Sequence, residues 1–186
     1  MLPLWAGIPS PRRAAAIVKK NILAADRFSL PYGLPLSLPS GKSPQAPPCD
    51  TINLPLNTLI GEGLLRYGYR TESAHLFQQW MSAVVSSLQT NQAFYSQYNA
   101  RSGAPLGIRH AFTGMAPLGL FLRILGLRII SPNHLIVSGH NPFPWPVHLS
   151  FRGLTVVCEA GHTHITFPGG QTTSVSGSAV HDVHLA

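Results

Sequence analysis

Two tyrosines, an asparagine and an arginine crowd one short stretch of the chain, FYSQYNARSGAPLG (Phe94–Gly107), as Tyr95, Tyr98, Asn99 and Arg101. Ring faces stack on flat apolar surfaces, while amide and guanidinium groups bond to hydroxyls, so this composition suits the rim of a sugar-binding site. Cleaving a glycosidic bond also asks for two carboxylates, one as acid and one as base or nucleophile. The stretch carries neither. The only carboxylates of the chain are Asp26, Asp50, Glu62, Glu72, Glu159 and Asp182, so the span from Ser73 to Cys158 has none. The chain has a rim without the acid that the chemistry needs.

Other chemistries find less support. Ser96, Ser102 and Cys158 lack a nucleophile-elbow motif. Nine histidines include His162 and His164 on one strand face and His181 and His184 near the end; that spacing permits a metal but does not specify one, and outward-facing hairpin histidines are the commoner case, so no metal or other cofactor is expected. The GKS at Gly41–Ser43 has Leu36 where a phosphate-binding loop needs its first glycine, and Pro44 blocks the helix that must follow. A net charge of +7 comes from scarce acids rather than clustered bases, since Arg66, Arg101, Arg109, Arg123, Arg128 and Arg152 are scattered; a nucleic-acid partner is not expected. The longest apolar run, Met115–Leu122, is cut by Arg123 well short of the ~20 residues that cross a bilayer, so no membrane span is expected. In MLPLWAGIPSPRR the positive charges follow the apolar stretch, the reverse of an export signal, and Cys49 and Cys158 have neither metal spacing nor a disulfide framework. Both features fit a cytoplasmic location.

The elements that must hold the rim are legible in part. Ser10-Pro11 starts a helix of about four turns through RRAAAIVKKNILAA. Residues 26–50, rich in proline, serine and glycine, read as a long loop. Leu56, Leu59, Ile60, Leu64 and Tyr67 recur at helical spacing in a helix closed by Gly68, with Glu62 and Arg66 one turn apart as a surface pair. A second helix, capped by Thr71, runs to Leu88 with Phe77, Trp80 or Met81, Val84 and Leu88 on one face. Met115–Leu125 reads as a helix apolar nearly all round. Beyond Ile130, HLIVS, VHLSF, LTVVCE, THITF and the tail TTSVSGSAVHDVHL are β-branched segments separated by turn residues, an antiparallel β module. The expected division is residues 1–130, helical, and 131–186, β.

The order of PLWAGIPSPRRAA, FSLPYGLPLSLPS, PLNTLIGEGLLRYGY, FYSQYNARSGAPLG and FTGMAPLGLFLRILGLRI resembles the carboxyl-terminal end of the six-hairpin glycosidases, and PFPWPVHLSFRGLTV extends the likeness. The group meant is glycoside hydrolase family 63, the mannosylglycerate hydrolase-like enzymes and the glycogen-debranching glucosidase domain. The resemblance implies an α+β fold: the last helices of an (α/α)6 barrel followed by a small antiparallel β module. The family barrel has twelve helices and four are read here, which implies a carboxyl-terminal portion whose exposed faces, along Met115–Leu125 and the Phe77/Trp80/Val84 stripe, await a missing amino-terminal region or self-association.

The family's general acid would then lie outside this chain. Its general base, a glutamate seven residues before the glycine of the late loop, falls by count from Gly103 on Ser96. A neutral serine cannot take a proton from water as a carboxylate does. Asn53, Thr58 and Phe112 also replace residues usual in the family, a tryptophan, a tyrosine and a tryptophan. The remaining candidate carbohydrate contacts are Tyr95, Tyr98, Asn99 and Arg101, with Tyr32 and Asn57 from neighbouring family positions. Two functions compete: a glycosidase-like portion acting on α-linked carbohydrate but inactive alone, and a non-catalytic carbohydrate-binding or structural module.

Overall fold

Wherever the chain turns from apolar helix-formers to alternating β-branched residues, its backbone turns from helix to sheet, and it does so earlier than the sequence suggests. The structure, a computed structural model, describes residues 2–24, 30–36 and 50–185. Asp26, the GKS at 41–43, Cys49 and most of the proline-rich loop lie outside the described residues. Two compact units divide between Leu118 and Gly119.

In the first unit, α1 (Leu2–Ala6) and α2 (Pro11–Ile17) precede α3 (Leu54–Arg66) and α4 (Arg70–Asn91). Ser10 and Pro11 start α2 as expected, but its last stretch widens into a π turn over Val18–Ile22. The helix α1 lies directly on α3 because Gly63 has no side chain: a methyl group there would meet the Trp5 backbone nitrogen at 2.7 Å. Leu4, Ala14, Val18, Ile22, Leu34, Ile60, Leu64 and Leu76 form the core between these helices. Gly68, at φ +83°, makes the left-handed turn that separates α3 from α4, a conformation glycine adopts without strain. Tyr69, not Thr71, precedes the first residue of α4, and Thr71 lies within its first turn.

The expected run of barrel helices is not there. Five α-helices occur among the described residues, and only α3 and α4, with 13 and 22 residues, exceed two turns. The fold is α+β overall, but the helices are few and ten strands in three antiparallel sheets accompany them among the described residues. Residues 95–109 form a hairpin, β2 (Tyr95–Asn99) and β3 (Pro105–Arg109), with β1 (Thr51–Ile52) on the other edge of β2. Pro105 and the positive-φ Gly103 and Gly107 disfavour a helix there. The apolar run at 115–125 yields only α5 (Leu118–Ile124), because Pro117 bounds it before and Gly126, at φ +75°, after. The Phe77/Trp80/Val84 stripe is also not an open face: all three are buried, Trp80 completely, and so are Leu120, Ile124 and Leu125. Met115 and Leu118 do remain exposed.

The second unit carries two antiparallel sheets. One orders β10 (Val180–His184), β5 (His134–Ser138) and β4 (Leu127–Ser131); the other runs β6 (Val147–Phe151), β7 (Leu154–Cys158), β8 (His162–Thr166) and β9 (Thr172–Ser176). The β-branched segments expected as strands are strands, with inward Leu135, Val137, Leu154, Val156, Cys158 and Ile165 buried. His162 and His164 share a face, with ring centroids 6.5 Å apart. No helix among the described residues is long and apolar enough to cross a membrane.

Candidate functional site

Asn99 builds the turn on which the candidate rim stands. Its Oδ1 accepts from the backbone N–H of Arg101 at 2.9 Å and of Ser102 at 3.0 Å, an Asx turn that closes the β2–β3 hairpin. Its backbone carbonyl accepts from Gly103 N–H, and its own N–H donates to Ala104, each at 2.8 Å. The side-chain carbonyl is therefore committed to the fold, and Nδ2 is what remains for a ligand.

Three segments far apart in sequence meet at this turn. Tyr32 donates its N–H to Ala100 O at 3.0 Å, and its ring lies against Gly103, where a methyl group would come within 2.7 Å of it. Asp50 accepts from Ala100 N–H through its backbone carbonyl and from Arg101 Nε through Oδ2 at 2.8 Å. β1 then carries the chain alongside β2, pairing Thr51 with Asn99 and Ile52 with Tyr98. Tyr32, Asp50, Asn99 and Arg101 thus gather at one end of the three-stranded sheet, with Arg101 57% exposed and Asp50 30%. Asp50 is the carboxylate that inspection of the rim segment alone misses. Its partner is 51 residues away, so no local spacing reveals the pair.

Two other candidates serve the interior instead. Tyr98 is fully buried and presents no ring face; its hydroxyl accepts from Tyr95 N–H at 3.0 Å. Burial pushes the phenol above the ordinary tyrosine range, against the opposing pull of its hydrogen bonds with the Tyr95 backbone and Ser87. Asn57 is also buried and clasps the segment before the rim: Oδ1 accepts from Leu34 N–H at 3.0 Å, and Nδ2 donates to Leu34 O at 2.9 Å and Asn53 O at 3.1 Å. Both residues position the rim from behind.

Ser96 sits at a β-bulge, where the β2–β3 register shifts between Tyr95 and Gln97. Its Oγ accepts from Ile108 N–H at 2.9 Å, and Gly107, at φ +76°, leaves room for it, since a methyl group there would lie 2.4 Å from that oxygen. Tyr95, half-buried, opens the same strand, and its carbonyl packs against Gly114 so closely that no side chain fits there. The three departures from the family pattern also have local roles or positions. Asn53 caps α3 by accepting from Leu56 N–H at 3.1 Å, Thr58 donates to Leu54 O at 2.8 Å, and Phe112 is 87% exposed.

The hairpin and its neighbours belong to a glycoside hydrolase-like domain, as the family match over this region shows. The sequence model of the family described as Trehalase matches residues 1–116, and the chain belongs to that family, within the superfamily of six-hairpin glycosidases. The match takes in the whole β1–β2–β3 sheet. No curated protein matches the chain.

Proposed function

We propose that this chain supplies the rim and the base-side loop of a site for an α-linked carbohydrate, and that it does not hydrolyse that carbohydrate by itself. The observation that carries this reading is Ser96. It occupies the position that the resemblance gives to the general base, and its hydroxyl is held by Ile108 N–H within the bulge. A hydroxyl there accepts a hydrogen bond, but it cannot draw a proton from water near neutral pH. Asp50, the carboxylate beside the β2–β3 turn, is tied to Arg101 at 2.8 Å. The family name points to trehalose, an α-linked disaccharide, ahead of the wider range of family 63 substrates. The general acid then comes from a further segment or a partner chain. A second reading, a non-catalytic carbohydrate-binding or structural module, is favoured by the commitment of Asn57 and Tyr98 to internal hydrogen bonds.

The test is hydrolysis of trehalose, p-nitrophenyl α-glucoside and p-nitrophenyl α-mannoside by the purified chain. An acid and a base typically contribute about 10²–10⁴-fold each, so their joint absence leaves no release above the buffer rate. Turnover abolished by Asp50→Asn or Glu72→Gln would identify another carboxylate as the base and end the proposal. Trehalose binding in a calorimetric titration, weakened by Arg101→Ala, separates a ligand-binding rim from a structural one.

A further inference from the structure

The segment NPFPWP (Asn141–Pro146) of the second unit lies beyond the family match, and it holds an open aromatic face. The Trp145 ring stacks on Phe143, with centroids 5.7 Å apart and planes 19° from parallel, and Phe143 is backed in turn by Phe121 at 5.7 Å. Phe143 is buried while Trp145 is 52% exposed, so one face of the indole is supported and the other is free. The loop is held rigidly from below by the buried Asn141. Its Nδ2 donates to Trp145 O at 2.8 Å and Cys158 O at 3.0 Å, and its Oδ1 accepts from Phe143 N–H at 2.9 Å. Trp145 and Phe143, with Pro144, Pro146, Glu159 and Ala160, line a cavity of about 250 Å³.

We propose that this cavity is a second carbohydrate site, one that seats a pyranose ring of an oligosaccharide on the free face of Trp145 with a hydroxyl donating to Glu159. An apolar face of C–H groups on a sugar ring matches a flat, supported aromatic plane, and its hydroxyls need an acceptor at the edge. Glu159 provides one. Its carboxylate is 52% exposed and stands 3.9 Å from His164 Nε2, too far for a hydrogen bond, so its lone pairs remain for a ligand. The arrangement does not suit the other ligand that aromatic and acidic groups attract, a quaternary ammonium, because a cage needs rings on several sides and the two rings here lie only 19° from parallel. The site is independent of the rim around Arg101, so either can fail without the other.

Affinity gel electrophoresis of the intact chain in glycogen, hydroxyethylcellulose and yeast mannan tests the proposal, alongside fluorescence titration with maltoheptaose, cellohexaose and mannohexaose. At least one polymer should retard the chain, and Trp145→Ala should weaken that retention at least tenfold with an unchanged circular dichroism spectrum. Glu159→Gln, which keeps the shape of the groove, should weaken it several-fold. Retention unaltered by Trp145→Ala would overturn the assignment, as would no response to any polymer or oligosaccharide. A fluorescence response to choline chloride alone, abolished by Trp145→Ala, would overturn it in favour of a cation site.

Discussion

Asn99 and Asn141 do the same work in two loops, one in each unit, yet the loops present opposite surfaces. Each asparagine lets its Oδ1 accept from backbone N–H ahead of it, two groups at Asn99 and one at Asn141, and so fixes a turn. In the first unit the adjacent aromatic, Tyr98, points into the core and the turn shows polar groups. In the second the adjacent aromatics stack outward and end in an exposed indole. The difference follows from what lies behind each loop. Tyr98 has the Tyr95 N–H to satisfy its hydroxyl inside, whereas the place beneath Trp145 is taken by Phe143. An aromatic residue near a rigid turn is therefore no guide to a ligand until its free face has been located.

The sharpest way to break this comparison is to truncate both aromatics. Tyr98→Ala should cost about 3–5 kcal/mol in a denaturant melt, as removal of a fully buried ring does, while Trp145→Ala should cost about 1 kcal/mol or less. Equal costs would mean that the two rings have the same structural role. Next in size, Asn57→Ala strips the buried Leu34 N–H and C=O of their partners and should cost about 2–3 kcal/mol. Loss of trehalose binding by this variant without loss of stability would instead make Asn57 a ligand contact.

Among the described residues each unit also buries one weak acid, Tyr98 and Cys158, and pH separates them. Burial raises the Cys158 thiol to about 11, against the opposing hydrogen bond with Thr163. An unfolded thiol titrates near 8.5, so from about pH 9 to 11 the unfolded chain binds fewer protons than the folded one and stability falls as pH rises, by up to about 1.4 kcal/mol per pH unit. Below pH 8 this group contributes no slope. Cys158→Ala should flatten the alkaline limb between 9 and 11, and Tyr98, raised in the same direction, adds a loss that begins as pH passes the ordinary tyrosine range. An unchanged limb in Cys158→Ala would place the titration elsewhere.

Two glycines give a smaller contrast. Gly107→Ala and Gly177→Ala both put a side chain at positive φ, at a cost of about 1 kcal/mol, but only at Gly107 does the methyl also meet Ser96 Oγ. The first variant should therefore melt lower than the second, and equal melting points would mean that the bulge yields freely. Smallest of all, Asp50→Asn should cost no more than about 1 kcal/mol, because its partner Arg101 is largely exposed. A larger loss would show that the Asp50 pair, rather than Asn99, holds the turn.

Local patterns were enough to read the two long helices, the start of α2 at Ser10-Pro11 and the β-branched strands of the second unit, because each depends on residues a turn or a strand apart. The composition of the rim and the scarcity of carboxylates were equally plain in the amino-acid order, and they directed attention to Ser96. The β2–β3 hairpin was less plain, since its turn depends on Asn99 folding back on its own backbone and on glycines at positive φ, which a polar, aromatic composition does not distinguish from a loop. Only the tertiary structure decided which of the candidate side chains are buried and which are exposed. The burial of Tyr98 and Asn57, the bond from Arg101 to Asp50 across 51 residues and the seating of Tyr32 on Gly103 all join segments distant in sequence. Such contacts depend on the packing of the whole unit, whereas spacing along a chain records only the neighbours that one helix or strand brings together.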